Sequence, residues 1–270
     1  MPDSREQNFA SLDIALDLLR RPTTIRDRLG ILQHLVNFLH GPIRPEDGMS
    51  DADLTWVPLP LPLQWWYRWA GKRSEVMSGQ NHLFVPRDQQ RKHGQITVKD
   101  GRIYFYCENQ GVYQWSTLPH GDDPPVFGRY EGRGRWANED ISLSEHLILM
   151  CLFEAIICHA KYRASAAWLV EDRFDAIAKN IPPLAIRPWR WLGAKFFARG
   201  DAFMCAAENG IATEKKDVRC GSAPTRNTHF NSSDLIWTMR GNMLRAESVV
   251  YSFGVAWRAR RDSNSRPPDS

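Results

Sequence analysis

Ile103-Tyr104-Phe105-Tyr106-Cys107-Glu108-Asn109-Gln110-Gly111-Val112-Tyr113-Gln114-Trp115-Ser116 is the stretch that decides the fold. Two aromatic-rich runs flank the polar turn at Glu108-Asn109-Gln110-Gly111. Period-two alternation within such runs marks paired strands. It places Ile103, Phe105 and Cys107 on one face and Tyr104 and Tyr106 on the other. Upstream, Ile96-Thr97-Val98 reads as a strand joined through Lys99-Asp100-Gly101, where Asp-Gly supplies the positive φ of a tight hairpin. Downstream, a loop closed by Asp122-Asp123-Pro124-Pro125 leads into Val126–Tyr130. That run faces Arg135-Trp136-Ala137 across Glu131-Gly132-Arg133-Gly134 as a second hairpin. The sheet is therefore expected to be predominantly antiparallel.

Helical periodicity surrounds this core. Phe9, Leu12, Ala15, Leu16 and Leu19 recur at helical spacing until Pro22. Thr24 precedes a second helix, Ile25–His40, which Gly41-Pro42 ends. Residues 41–55 read as a polar loop. Pro58-Leu59-Pro60-Leu61-Pro62-Leu63 lacks alternate amide hydrogens, so the next helix is placed at Gln64–Ala70, with Pro62 in or near its first turn. Its adjacent Trp65, Trp66, Tyr67 and Trp69 cannot all face one core. Ser142 and Glu145 form a capping box. They open the most hydrophobic helix, Leu143 to about residue 159, which is expected to pack on the sheet. Ala166–Val170 reads as extended and Asp172–Lys179 as a short helix. Pro188-Trp189-Arg190-Trp191 is a loop of bulky anchors, and Lys195–Ala198 with Ala202–Ala206 is a hairpin. Leu235–Thr238 and Ser248–Val255 have strand propensity in weak context, and residues 258–270 read as disordered.

The 270 residues suit one large domain or two small ones. The net charge is +4, of which residues 240–270 carry +3 (six Arg against Glu247, Asp262 and Asp269), leaving about +1 on residues 1–239. A nucleic-acid binder should carry its basic surplus on the folded body, and this one does not. The five Cys form no CxxC pair, so they read as reduced small hydrophobes rather than metal ligands. No secretory h-region and no run of about 20 apolar residues is present. The expectation is a cytoplasmic protein.

Several residue types were weighed for chemistry. Glu108 beside Asn109 and Gln110 fits a turn-holding carboxylate better than a general base. Asp122 and Asp123, with His120 nearby, lack the further converging ligands that a metal needs. No nucleophile elbow, phosphate loop or dinucleotide fingerprint occurs. Arg129, Arg133 and Arg135 interleave with Tyr130 and Trp136 as a nucleic-acid grip would, but Glu131, Glu139 and Asp140 dilute the charge. No catalytic residue, cofactor or metal is assigned. The surplus of Trp, Tyr and Arg is the composition of protein-binding hot spots.

The order of features is similar to the bacterial branch of the SUKH superfamily, related to fungal cell-wall-synthesis regulators. The residues that carry it are Leu61-Pro62-Leu63-Gln64-Trp65-Trp66-Tyr67-Arg68-Trp69-Ala70-Gly71, Gln80-Asn81-His82-Leu83, Tyr104 to Gly111, Trp115, Asp123-Pro124-Pro125-Val126, Leu143-Ser144-Glu145-His146-Leu147, Pro188-Trp189-Arg190-Trp191 and Arg199-Gly200-Asp201. The resemblance spans residues 20–210. It implies an α+β fold with an antiparallel or mixed sheet against helices, and a non-enzymatic immunity protein that binds and neutralises a toxin, often a nuclease, of polymorphic or contact-dependent systems. It supplies no catalytic residues.

The sequence thus divides into a SUKH-like α+β domain, 8–212, whose residues 8–40 are helical, and a pattern-poor tail, 213–270. Residues 213–270 depart from the family and are expected to lack evolved structure, as a shifted or overrun reading frame would give. The expected partner is a toxin protein, with no membrane and no nucleic acid. The expected docking residues are Tyr104, Tyr106, Glu108, Trp115, Asp122 and Asp123, on a face expected to be acidic. The alternatives are a small-molecule hydrolase or transferase using Glu108 with Asp122 or Asp123, and a nucleic-acid module using Arg129, Arg133 and Arg135.

Overall fold

The computed structural model describes residues 12, 14–19, 21, 23–86, 94–130, 134–159, 162–166, 171–191, 193–199, 202–207 and 235–239. These form an α+β fold with two antiparallel sheets. The first contains β1 (His82–Leu83), β2 (Thr97–Lys99), β3 (Arg102–Cys107), β4 (Tyr113–Thr117), β5 (Pro125–Tyr130) and β6 (Ala137–Ser142), in the order β1-β3-β4-β5-β6 with β2 also on β3. β1 and β2 share one edge of β3, β2 along Arg102–Tyr104 and β1 along Tyr106–Cys107. Asp100 (φ 53°) and Gly101 (φ 71°) make the tight turn between β2 and β3 that Asp-Gly forecast.

Helix formation follows local signals. Thr24 and Asp27 form a capping box at the start of α1 (Ile25–His40), which Gly41 ends at φ 82°. The expected loop at 41–55 contains a 3-10 turn and the short helix α2 (Asp51–Leu54), which Ser50 and Asp53 cap reciprocally. α3 (Leu61–Ala70) starts three residues earlier than Gln64, because Pro62 sits in the first turn, where its missing amide hydrogen costs nothing. α4 (Ser74–Met77) follows.

Ser142 and Glu145 cap α5 (Leu143–Glu154), which continues as a π turn through His159. Every residue of α5 except Glu145 is buried. The first sheet covers one side of it, and α1, α3 and α4 also pack against it. Trp189 and Trp191 close over the inner face of the sheet. Trp115 lies 5.3 Å from Trp189 and 5.1 Å from Trp191, ring centre to ring centre. Arg190 fastens this strap by donating to Asn138 O (2.6 Å), and Arg187 donates to Asp140 O.

One sequence expectation about β3 is corrected. The register shifts between Tyr104 and Tyr106, so Phe105 is the extra residue of a β-bulge. Strict alternation fails there, and Phe105 and Tyr106 both turn inward onto His146, at 5.5 and 5.9 Å. Only Tyr104 keeps to the outer face.

The second sheet has the order β7-β10-β9-β8, from β7 (Tyr162–Ala166), β8 (Ala194–Arg199), β9 (Ala202–Ala207) and β10 (Leu235–Met239). Alternation holds in β8 and β9. Phe196, Ala198, Phe203 and Cys205 join the main core, while Phe197, Met204 and Ala206 face Phe174, Ile177 and Ala178 of α6 (Glu171–Ala178). β10 lies within the stretch expected to lack structure, yet it pairs with both β7 and β9. The expectations for 167–170, 248–255 and 258–270 fall outside the described residues.

Gly128 on β5 shows how tightly the inner face is built. A Cβ there would collide with Glu139 Oε1 and the Tyr113 hydroxyl, which are themselves hydrogen bonded at 2.7 Å. Gly128→Ala is expected to lower the unfolding free energy by about 2 kcal/mol. The result would appear as a lower urea midpoint at unchanged slope; an unchanged midpoint would refute the packing described.

Candidate functional site

The turn between β3 and β4 is closed by its own backbone. Glu108 N donates to Tyr113 O, and Gly111 N to Glu108 O, both at 2.8 Å. Glu108 Oε2 accepts from the amides of Gln110 (2.9 Å) and Val112 (3.4 Å). Burial raises its pKa while these amides pull it back down. Beside the turn is a shallow open cleft of about 330 Å³, lined by His82, Phe84, Gly94, Cys107 and residues 108–111. His82 and Cys107 face each other in the β1–β3 register. The Cys107 thiol donates to Glu108 O at 3.3 Å. Glu108 is a turn-holding carboxylate.

Behind this turn a polar network ties it to α5. Glu154 Oε1 accepts from the Tyr106 hydroxyl (2.7 Å) and from Asn81 N (2.9 Å), and Gln80 N donates to its other oxygen. Asn81 Oδ1 in turn accepts from Asn109 N at 3.3 Å. Burial raises the pKa of Glu154, with the three donors opposing. These bonds place the end of α5 against the β3–β4 turn.

The six expected docking residues do not share a surface. Tyr106 and Trp115 are fully buried between the sheet and α5, and Glu108 and Tyr104 are buried as well. Asp123 is committed to structure. It pairs with Arg28 of α1 at 2.8 Å and accepts from Ser144 N (2.8 Å) and Ser144 Oγ (2.6 Å). This places a carboxylate at the N-terminus of α5, where the helix dipole favours one. Asp122 alone is exposed. Glu108 and the Asp122-Asp123 pair flank opposite ends of β4, roughly 14 Å of strand apart. They cannot act on one substrate atom, so the hydrolase or transferase arrangement is not assembled. Among the described residues, no group of three or more His, Cys, Asp and Glu converges as a metal site.

Two surfaces emerge instead. On α3, Leu61, Trp65 and Trp69 recur at i, i+4 and i+8 and line, with Arg68, a groove of about 360 Å³. The Trp65 and Trp69 rings lie 4.8 Å apart, whereas Trp66 and Tyr67 point into the core. The spacing was visible in the sequence, but a helix begun at Gln64 left Leu61 off the stripe. The second surface is the outer face of the first sheet. Arg102 stacks on Phe127 (3.9 Å), and Arg129 lies between Trp136 (4.3 Å) and Tyr104 (5.3 Å). Of the arginines weighed for nucleic acid, Arg129 belongs to this stack and Arg135 is exposed, while Arg133 lies outside the described residues.

No protein-family model matches the chain, and neither a curated protein nor a solved structure is similar to it. Among the described residues, no helix is long and apolar enough to cross a membrane.

Two buried groups set opposing pH dependences. His146 sits among Phe105, Tyr106, Trp115 and Trp189 with neither ring nitrogen hydrogen bonded. Burial depresses its pKa from 6.5 to about 3. The unfolded chain therefore binds a proton that the folded chain refuses, and stability falls as pH drops below 6.5, by up to about 1.4 kcal/mol per pH unit. Wild type should lose stability relative to His146→Leu between pH 6.5 and 5, read by urea unfolding at each pH; parallel curves would refute this. Glu139 has the opposite sign. Burial raises its pKa above 4.5, so its contribution is greatest in acid and is lost as pH rises through the folded pKa. Glu139→Gln keeps an acceptor for Tyr113, and it should gain on wild type as pH rises from 4.5.

Proposed function

We propose that this chain is a non-enzymatic protein-binding module, a cytoplasmic immunity protein of SUKH-like fold that binds and neutralises a toxin. The observation that carries the reading is the α3 groove. Leu61 is 45 % exposed, and the half-buried Trp65 and Trp69 rings line a groove open to solvent. A contiguous tryptophan surface flanked by a salt-bridged arginine (Arg68 to Asp51, 2.8 Å) has the composition of a hot spot. The motif resemblance supports the same reading. The separation of Glu108 from Asp122 and Asp123 favours binding over the enzyme alternative that the sequence offered.

The test is co-expression with a toxin domain: if a large secreted protein with a C-terminal nuclease domain is encoded beside this chain, that domain is the one to use. Wild type should restore growth, and Trp65→Ala/Trp69→Ala should not, with toxin affinity reduced about 30-fold or more. Both rings are half-buried against the core, so the double variant should also melt several degrees lower, and its affinity is read at a temperature where circular dichroism shows it folded. Failure of the wild type to protect would sink the immunity reading. Full protection by the double variant would remove the groove from it.

A further inference from the structure

Among the described residues, the outer face of the first sheet carries positive charge with no carboxylate opposite it. Among its described positions, Thr97, Lys99, Arg102, Tyr104, Gln114, Ser116, Phe127, Arg129 and Asn138 follow from the register, and none is a carboxylate. Arg102 and Arg129 form no salt bridge with any described residue, and both come within 6 Å of one ring, Trp136, at 5.9 and 4.3 Å. Lys99, directly opposite Arg102 in the β2–β3 register, is exposed. Three cations held this close repel one another unless an anion joins them.

The same face is rich in unused donors. Arg102 Nη1, Arg129 Nε, the Tyr104 hydroxyl and the Ser116 hydroxyl lie just beneath this face, buried and without a hydrogen-bond partner, while Arg129 Nη2 donates to Gln114 Oε1 at 3.4 Å. Tyr104 is 8 % exposed and Ser116 fully buried, and they are direct cross-strand neighbours. A buried polar group without a partner is costly, and several donors in one place make a face deficient in acceptors.

The geometry points to an acidic segment of a partner protein as the occupant, its carboxylates seated on Arg102 and Arg129 with Lys99 at the rim. The stacking selects this chemistry. A base needs an open ring face, but guanidinium planes already lie on Phe127, Trp136 and Tyr104. Both arginines are half-buried, and a guanidinium fixed on a ring loses little further freedom when its remaining donors meet a carboxylate. Residues 1–239 also carry only about +1, too little for a phosphate-tracking body. This rests on the protein-binding reading and revises one part of it. This is a second docking face, distinct from the α3 groove, and it is basic where an acidic one was expected, so the partner meets it with an acidic region away from any phosphate-binding surface.

The test uses full-length protein and fluorescence anisotropy with two labelled probes of equal charge, hexaglutamate and a single-stranded oligothymidylate. Hexaglutamate should bind more tightly, and Arg102→Gln/Arg129→Gln should weaken it about tenfold or more. Arg102→Lys/Arg129→Lys, which keeps charge but not the fork, should fall between. Lys99→Gln alters only an exposed rim residue and should weaken binding about twofold while leaving the melting temperature unchanged. Arg187→Gln/Arg190→Gln is the control and should have no effect. Absence of hexaglutamate binding, equal binding by all variants, or preference for the oligonucleotide would each overturn the proposal. In the co-expression assay, full protection by Arg102→Gln/Arg129→Gln would refute this face while leaving the immunity reading intact. Failure of the wild type there would sink that reading and leave peptide binding as measured.

Discussion

A helix that is apolar on every side has to be enclosed, and α5 imposes that demand on the whole chain. The inner face of the first sheet, α1, α3, α4 and the Trp189–Trp191 strap each supply part of the enclosure. The demand extends to polar groups at its two ends. Asp123 and Ser142 satisfy amides at the start, and Glu154 at the finish collects the Tyr106 hydroxyl and two backbone amides. A carboxylate this deep is tolerable because each oxygen has a donor. These polar bonds also fix the rotation of α5, which an evenly apolar surface would leave undetermined.

The same demand leaves the outer face of the first sheet with no helix among the described elements. Its centre is sealed by side chains of the sheet and its hairpin, with guanidinium planes laid between rings. Such a layer shields backbone from water much as an apolar layer would. It differs in carrying charge, which an aliphatic cover would not. Covering the sheet and placing positive charge on it are thus the work of one set of residues.

Much of the fold was legible because its signals are local. Asp100-Gly101, the Ser142–Glu145 box, Thr24 and the periodicity of α1 and α5 act within a few residues of themselves. What could not be read depends on partners distant in sequence. The bulge at Phe105 follows from how β3 meets β4 and His146, and alternation alone gave the wrong side for Tyr106. The same limit misplaced the site. Tyr106, Trp115 and Glu108 looked available as residues in a turn neighbourhood, and the layer that buries them comes from residues 143–191. Asp123 looked like a loop acid until Arg28 and Ser144 arrived beside it. Conversely, Arg102 carries no signal of its role, since nothing local distinguishes a stacked arginine from a solvated one.

The edges of the first sheet bear on how such a chain behaves when crowded. An open edge invites strand addition from a second molecule, the first step toward fibrous aggregates. Here the free side of β3 is taken by two very short strands, β1 and β2, too brief to template further pairing. At the opposite edge, the carbonyls of Asn138 and Asp140 on β6 already accept from Arg190 and Arg187, and Asp140 at φ 59° bends the strand away from flatness. With both margins occupied, the sheet can expose a charged face to solvent without recruiting copies of itself.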